Sequence, residues 1–149
     1  MAGTFAQLHF HIIFSTKDRS PTIAAPWRER LWEYLGGIIV GEGGAPLQIG
    51  GMADHVHILV TLRPRHHLPD LIQKLKAGSS GWVHRQFPEA GMWWQNGYGA
   101  FTVSHSGLQD VRQYIIDQEV RHKTMSFQDE FRVFLDKHSI AYDERYLWG

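Results

Sequence analysis

The sequence contains no cysteine. Disulfide cross-links, thiolate metal sites and a cysteine nucleophile are therefore excluded. It also has no surplus of either charge: Lys+Arg and Asp+Glu number 15 each, a formal net charge of zero. Nothing in that balance draws the chain toward polyanions, so any basic surface must be local. No apolar run is long enough to span a bilayer. The stretch Met1 to Gln7 lacks the basic n-region and apolar core of a secretory signal, so the expected compartment is the cytoplasm. Internal repeats, low-complexity tracts and linkers are missing too. What is present is ordinary globular composition, 43% hydrophobic and 20% charged over 149 residues, which predicts one domain spanning 1–149.

The most informative stretch runs from Gly51 to Val60. Asp54 closes a Gly-rich turn, and Val56, Ile58 and Val60 then alternate as one apolar face of a strand. Successive strand side chains point to opposite faces, so His55 and His57 share the other face. Two imidazoles side by side on a rigid strand make a ready pair of metal ligands. A bare His-x-His arises often by chance, and a hydrogen-bonded histidine is the commoner outcome.

From the N-terminus, Leu8 to Ser15 reads as a first strand, with Leu8, Phe10, Ile12 and Phe14 on one face and His9, His11 and Ile13 on the other. That is a second His-x-His, and periodicity does not rank it below the first. The polar loop that follows carries Lys17 and Arg19, enough for a phosphate contact, although such loops are usually just solvated. Pro26 suits the first turn of a helix whose buried stripe is Leu31, Leu35, Ile38 and Ile39. Gly41 to Gly44 ends it. Leu47 to Gly50 is a short strand that pairs with the His55 to Leu62 strand as an antiparallel hairpin. A second helix runs from about Leu68 to Phe87. Its Lys74, Lys76, Ser79 and Ser80, close to Trp82, offer either a nucleic-acid face or an ordinary solvated one. Tyr98 to Ser104 is a fourth strand, and Leu108 to Lys123 a third helix. A further helix from Ser126 to about His138 has Phe127, Phe131, Phe134 and Leu135 apolar. The order β-α-β-β-α-β followed by helices predicts an α+β, ferredoxin-like (split βαβ) antiparallel sheet with helices on one face plus C-terminal helices.

On the third helix Tyr114 and Gln118 stand four apart and Arg121 seven from Tyr114, so a phenol, an amide and a guanidinium share one side. Leu108, Val111 and Ile115 form a different, apolar stripe. No other tyrosine in the chain has a glutamine at the fourth position. An arbitrary Tyr-x-x-x-Gln is usually a solvent face, and the pairing with His-x-His is what raises its interest.

Asp54-His55-Val56-His57-Ile58-Leu59-Val60 followed by Tyr114-Ile115-Ile116-Asp117-Gln118 resembles the single-tyrosine HUH transposases of small bacterial insertion sequences, the IS200-like transposase family. Phe14 to Arg19, Gly97 to Phe101 and Asp143 to Trp148 extend the resemblance along most of the chain. The resemblance implies that His55 and His57 bind a divalent cation, Mg²⁺ or Mn²⁺, with Gln118 as third ligand. It implies that Tyr114 is the nucleophile, cleaving single-stranded DNA beside a hairpin and forming a 5′-phosphotyrosine before strands are rejoined. It further implies a homodimer. A domesticated relative that binds or nicks hairpin nucleic acid without transposition would need the same site. A third possibility is a binding module whose histidines hold a structural metal. The residues suit the chemistry: a phenol with pKa near ~10 needs no triad where a metal neutralises phosphate charge, and a covalent intermediate conserves the phosphodiester energy. Gln118 adds no negative charge near phosphate. Lys17, Arg19, Lys74, Lys76, Ser79, Ser80, Arg121 and Lys123 are the candidate DNA contacts, with His122 a weaker one. The resemblance returns His9 and His11 to ordinary first-strand residues, and His122 has no partner at ligand spacing.

Overall fold

The computed structural model describes residues 2–149; Met1, the first residue of the stretch read for a secretory signal, lies outside them. Four antiparallel strands form one sheet: β1 (Leu8–Ser15), β2 (Ala45–Met52), β3 (His55–Leu62) and β4 (Gly99–Val103), in the order β2-β3-β1-β4. Helix α1 (Ala25–Gly41) connects β1 to β2, and α2 (Leu68–Gln86) connects β3 to β4. Each of these two crossovers thus links strands separated by one other strand. Among the described residues no helix is long and apolar enough to cross a membrane.

Alternation explains how the sheet is used. Ile12, Phe14, Val56, Ile58 and Val60 face α1 and α2, which add Trp27, Leu31, Leu35 and Ile39 from one helix and Leu71, Ile72, Leu75 and Val83 from the other. The four α1 residues recur every fourth position and so lie along one stripe. Each such side chain contributes about 2 kcal/mol by leaving water, which makes this the stabilising face. The residues between them in the strands point the other way: His9, His11, Ile13, His55 and His57.

That second face is covered by the C-terminal helices: α3 (Leu108–Ile116), α4 (Gln118–Arg121) and α5 (Phe127–Lys137), with α6 (Glu144–Leu147) near the end. A smaller apolar cluster of Ile13, Phe101, Phe127 and Leu135 anchors α5 there. The expected single helix from Leu108 to Lys123 is in fact two segments. The backbone opens at Asp117 (φ −87°, ψ 16°), although its amide still donates to Gln113 O at 3.0 Å. The second strand is longer than the expected Leu47 to Gly50 because it begins at Ala45 and includes Pro46 near its start, where a register irregularity between Pro46 and Gln48 accommodates it.

One glycine decides how close the tyrosine helix comes. A Cβ on Gly50 would stand 2.9 Å from both the Ile115 carbonyl oxygen and Ile115 Cγ2, so α3 rests directly on the β2 backbone. Ile115 is buried there, while Leu108 and Val111 are half-buried.

Candidate active site

The β2–β3 turn delivers the first two candidate ligands. His55 and Asp54 are adjacent, and His55 Nδ1 lies 2.7 Å from Asp54 Oδ1. A carboxylate only accepts, so His55 donates from Nδ1 and turns Nε2 inward; this is the orienting arrangement common behind metal-bound histidines. His57, two residues on, is held by His11: His57 Nδ1 and His11 Nε2 are 2.8 Å apart. The expectation that His11 is an ordinary strand residue therefore needs correcting. Cross-strand register places it beside β3, and it orients the His57 ring from behind. His9 stays outside this network, paired with Thr61 Oγ1 at 2.8 Å.

From the opposite side come the helices. Gln118 Oε1 lies 2.9 Å from His55 Nε2. Tyr114, one turn earlier, points its hydroxyl into the same space, and the Arg121 guanidinium stacks over its ring at 4.1 Å from the centroid. The break at Asp117 does not separate these side chains, because backbone hydrogen bonding continues across it.

At the centre sits a residue that periodicity did not single out. Glu130 of α5 is buried, 1% exposed. Its Oε1 lies 2.8 Å from His57 Nε2 and 3.5 Å from His55 Nε2. Its Oε2 accepts from Tyr114 Oη, from Gln118 Nε2 at 3.1 Å and from His122 Nε2 at 3.2 Å. His122 is likewise drawn in, contrary to the expectation that it has no partner; it also bonds Met125 O at 2.6 Å and approaches Gln118 Oε1 at 3.0 Å. The ligand atoms of His55, His57, His122 and Glu130 lie within 4.8 Å of one another. Sequence signals for both existed. His122 is four beyond Gln118 and eight beyond Tyr114, hence on their side of the helical path. Glu130 interrupts the apolar stripe Phe127, Phe131, Phe134, where a carboxylate is costly unless something inside receives it.

The electrostatics follow from this packing. Burial lowers the His57 pKa from 6.5 to about 4, outweighing its hydrogen bond to Glu130; Nδ1 is taken by His11, so Nε2 is the nitrogen that faces the site. Burial, reinforced by His57, holds His11 well below its usual value. Burial alone would raise the Glu130 carboxyl, but hydrogen bonds from His122 and His57, with the electrostatic influence of His57 and His55, bring it below the carboxylate range. Burial opposes charge on His122 as well, yet Glu130 and the Met125 carbonyl raise it. Burial and then Glu130 raise the Tyr114 phenol, which Arg121 only partly offsets.

The remaining candidates scatter. Lys17 and Lys123 are exposed and Ser80 half-buried. Lys74 is exposed and pairs with Glu42 Oε2 at 3.0 Å. Arg19 is half-buried, donating to Trp148 O at 3.2 Å and lying over that indole. Two candidates are internal rather than outward-facing. Ser79 is fully buried, donating to Leu75 O and accepting from Trp94 Nε1. Lys76 donates to the carbonyls of Gln95 and Gly97 at 2.7 and 2.6 Å, and burial lowers its pKa to about 8.

Residues 4–118, which include both histidines, the tyrosine and the glutamine, match the family model described as "Transposase IS200 like". The chain belongs to the IS200-like transposase family. Members of such a family cleave and transfer DNA strands. The ISDra2 transposase TnpA of Deinococcus radiodurans is 27% identical over 122 residues, covering 78% of this transposase and 87% of the relative. The crystal structure of a candidate transposase from Deinococcus radiodurans R1 superposes with a TM-score of 0.65 at 28% identity, over 79% of this chain and 95% of that one. A REP-associated tyrosine transposase solved with a REP hairpin gives a TM-score of 0.62 over 82% and 73% of the two chains. At 10% identity, that likeness speaks for the fold of this transposase alone.

Proposed function

We propose that this transposase is metal-dependent, and that it cleaves and rejoins single-stranded DNA at hairpin-flanked ends through a 5′-phosphotyrosine on Tyr114. The observation that carries the proposal is the convergence of the Tyr114 hydroxyl, the His55 and His57 Nε2 atoms and the Gln118 amide on one buried point.

The donor set fits a divalent ion. With Nδ1 donating to Asp54, His55 turns Nε2 toward Gln118 Oε1, an acceptor 2.9 Å away. A divalent cation between them would satisfy both lone pairs. His55, His57 and Gln118 would hold it. When bound, Mg²⁺ or Mn²⁺ polarises the scissile phosphate and stabilises charge on the oxygens of the displacement.

The chain's own residues supply the rest. Tyr114 Oη attacks phosphorus, the bond from phosphorus to the 3′-oxygen breaks, and the phenol proton ends on the freed 3′-hydroxyl. A 3′-hydroxyl reverses the displacement to join strands, so no nucleotide cofactor is needed. Arg121 would meet phosphate, a role supported by its position against the Tyr114 ring and by a buried Nε–H that has no acceptor among the described residues. Lys17, Arg19, Lys74, Ser80 and Lys123 extend the DNA contact as weaker, sequence-independent elements. Ser79 and Lys76 act from within, by holding Trp94 and the 95–97 loop. Residues 1–149 work as one unit, since α3 to α5 complete the face that β3 begins.

Among the described residues two strand edges, β2 and β4, have no strand on their outer side, which supports assembly as a homodimer. Sedimentation velocity showing only monomer at micromolar concentration would exclude it.

The decisive experiment is a denaturing gel of hairpin-bearing single-stranded DNA with Mn²⁺. Wild type should leave a protein–DNA adduct that survives boiling in detergent. Tyr114→Phe should lower adduct formation by several orders of magnitude while binding DNA normally, because only the attacking oxygen is removed. Tyr142→Phe and Tyr146→Phe should retain it. An adduct from Tyr114→Phe would disprove the assignment.

A further inference from the structure

We infer that Glu130 is an additional, anionic ligand of the cation held by His55, His57 and Gln118, supplied from a C-terminal helix beyond the family-matching region 4–118. The inference rests on the metal site proposed above and adds to it a charge that an amide cannot provide.

The two Glu130 oxygens occupy different environments. Oε2 is surrounded by donors: the Tyr114 hydroxyl, Gln118 Nε2 and His122 Nε2. Oε1 accepts from His57 Nε2 at 2.8 Å in the metal-free chain and is the oxygen nearer His55 Nε2, at 3.5 Å, so a cation bound there would take the place of that proton. The third separation in this group, His55 Nε2 to Gln118 Oε1, is 2.9 Å. Ligands bonded at about 2.0–2.2 Å stand roughly 2.8–3.6 Å apart along the edges of an octahedron or tetrahedron. The three separations therefore already have close to the spacing of a coordination shell, and Oε1 is the one oxygen that both histidines approach.

Burial supports the same conclusion. A carboxylate that is 1% exposed needs compensating positive charge. His122 compensates from the Oε2 side, while its Nδ1 is engaged by Met125 O. His122 is accordingly a positioning residue, holding the carboxylate so that Oε1 remains directed at the histidines. Carboxylate oxygen also suits hard cations such as Mg²⁺ and Mn²⁺ better than imidazole and amide alone. The site then carries one negative charge. This departs from the expectation that its ligands would be neutral.

The test reads metal directly, on the full chain without DNA. Electron paramagnetic resonance titration with Mn²⁺ should give a wild-type affinity that Tyr142→Phe changes by less than about threefold. Glu130→Gln should weaken it at least tenfold, which is about 1.4 kcal/mol. Glu130→Asp should recover part of the loss, and His57→Ala should lose binding almost entirely. Circular dichroism verifies that each variant is folded. An independent measurement needs no variant: in wild-type protein labelled with ¹³C at the glutamate carboxyl groups, pulsed resonance on the Mn²⁺ complex should detect a directly coordinated carboxylate carbon. If Glu130→Gln binds like wild type, or the carbon coupling is absent, while His57→Ala abolishes binding, the role of Glu130 is overturned and the three-ligand site stands. If wild type takes up no Mn²⁺, the three-ligand site fails and this inference fails with it.

Discussion

Neighbouring residues on β3 live in opposite surroundings. Ile58 meets the apolar layer of α1 and α2, and His57, one position earlier, meets Glu130, His11 and the tyrosine helix. Both are completely buried. One face of the sheet is filled by branched and aromatic side chains that need only volume to fit. The other carries, beside a smaller apolar cluster, titratable groups that need partners in particular orientations. Burial alone does not distinguish structural residues from chemical ones here; what separates them is whether the buried atom has a lone pair to satisfy. The apolar face holds the sheet together so that the polar face can keep an arrangement that contributes little to stability itself.

The sharpest way to break this division is to cut both sides of β3. Ile58→Ala should cost about 2–5 kcal/mol in urea unfolding, while folded molecules keep their Mn²⁺ affinity and adduct formation. His57→Ala should do the reverse, with a smaller stability loss at neutral pH and no metal uptake. If His57→Ala destabilises as much as Ile58→Ala, the polar face is structural and the division fails.

The second effect is a pH dependence that only the polar face can produce. His57 titrates near 4 in the folded chain against 6.5 unfolded, so it is neutral in both states above pH 6.5 and costs nothing there. As pH falls from 6.5 to 4 the unfolded chain takes up a proton that the folded chain refuses, and stability drops by about 3 kcal/mol. His11, lowered in the same direction, adds to the loss. His122 is raised, so its stabilisation is complete below 6.5 and lost as pH climbs through its folded value. Metal-free protein should therefore be most stable near pH 6.5, and His57→Gln should flatten the acid limb. An acid limb of unchanged slope in that variant would remove His57 from the explanation.

The smallest expected effect separates outward lysines from inward ones. Lys17→Ala should reduce the salt slope of binding to single-stranded hairpin DNA by about 0.7, with a few-fold loss of affinity. Lys76→Ala should leave the slope alone and lower stability, because its ammonium is committed to the carbonyls of Gln95 and Gly97. Fluorescence anisotropy across a KCl series checks both; equal slopes for wild type and Lys17→Ala would exclude that loop from the contact.

Much of this was legible in the sequence, for local reasons. Strands β1 and β3 fall where alternation put them, and α2 ends within a residue of its expected limit. His-x-His and Tyr-x-x-x-Gln are likewise short-range patterns on single elements, and the fold brings them together. What escaped was long-range. His11 orients His57 across 46 residues of sequence, and Glu130 reaches the same ring across 73. Neither relation has a period. A break such as that at Asp117 leaves no composition signal either, since the residues around it are ordinary helix formers. The polar interruption of the α5 stripe at Glu130 was visible, but its meaning depends on which face of the sheet α5 covers.

Gly50 has a consequence of another kind. The tyrosine helix rests on its bare backbone, so the reach of the phenol is set from behind, by the thickness of a strand at a single point. A methyl group there would act as a shim under the helix and lift Tyr114 away from Glu130 and the histidines without altering any group that takes part in the chemistry. On the proposed mechanism, the distance over which Tyr114 acts is thus set by a residue with no side chain. A search for function confined to polar residues would pass over the position that calibrates them.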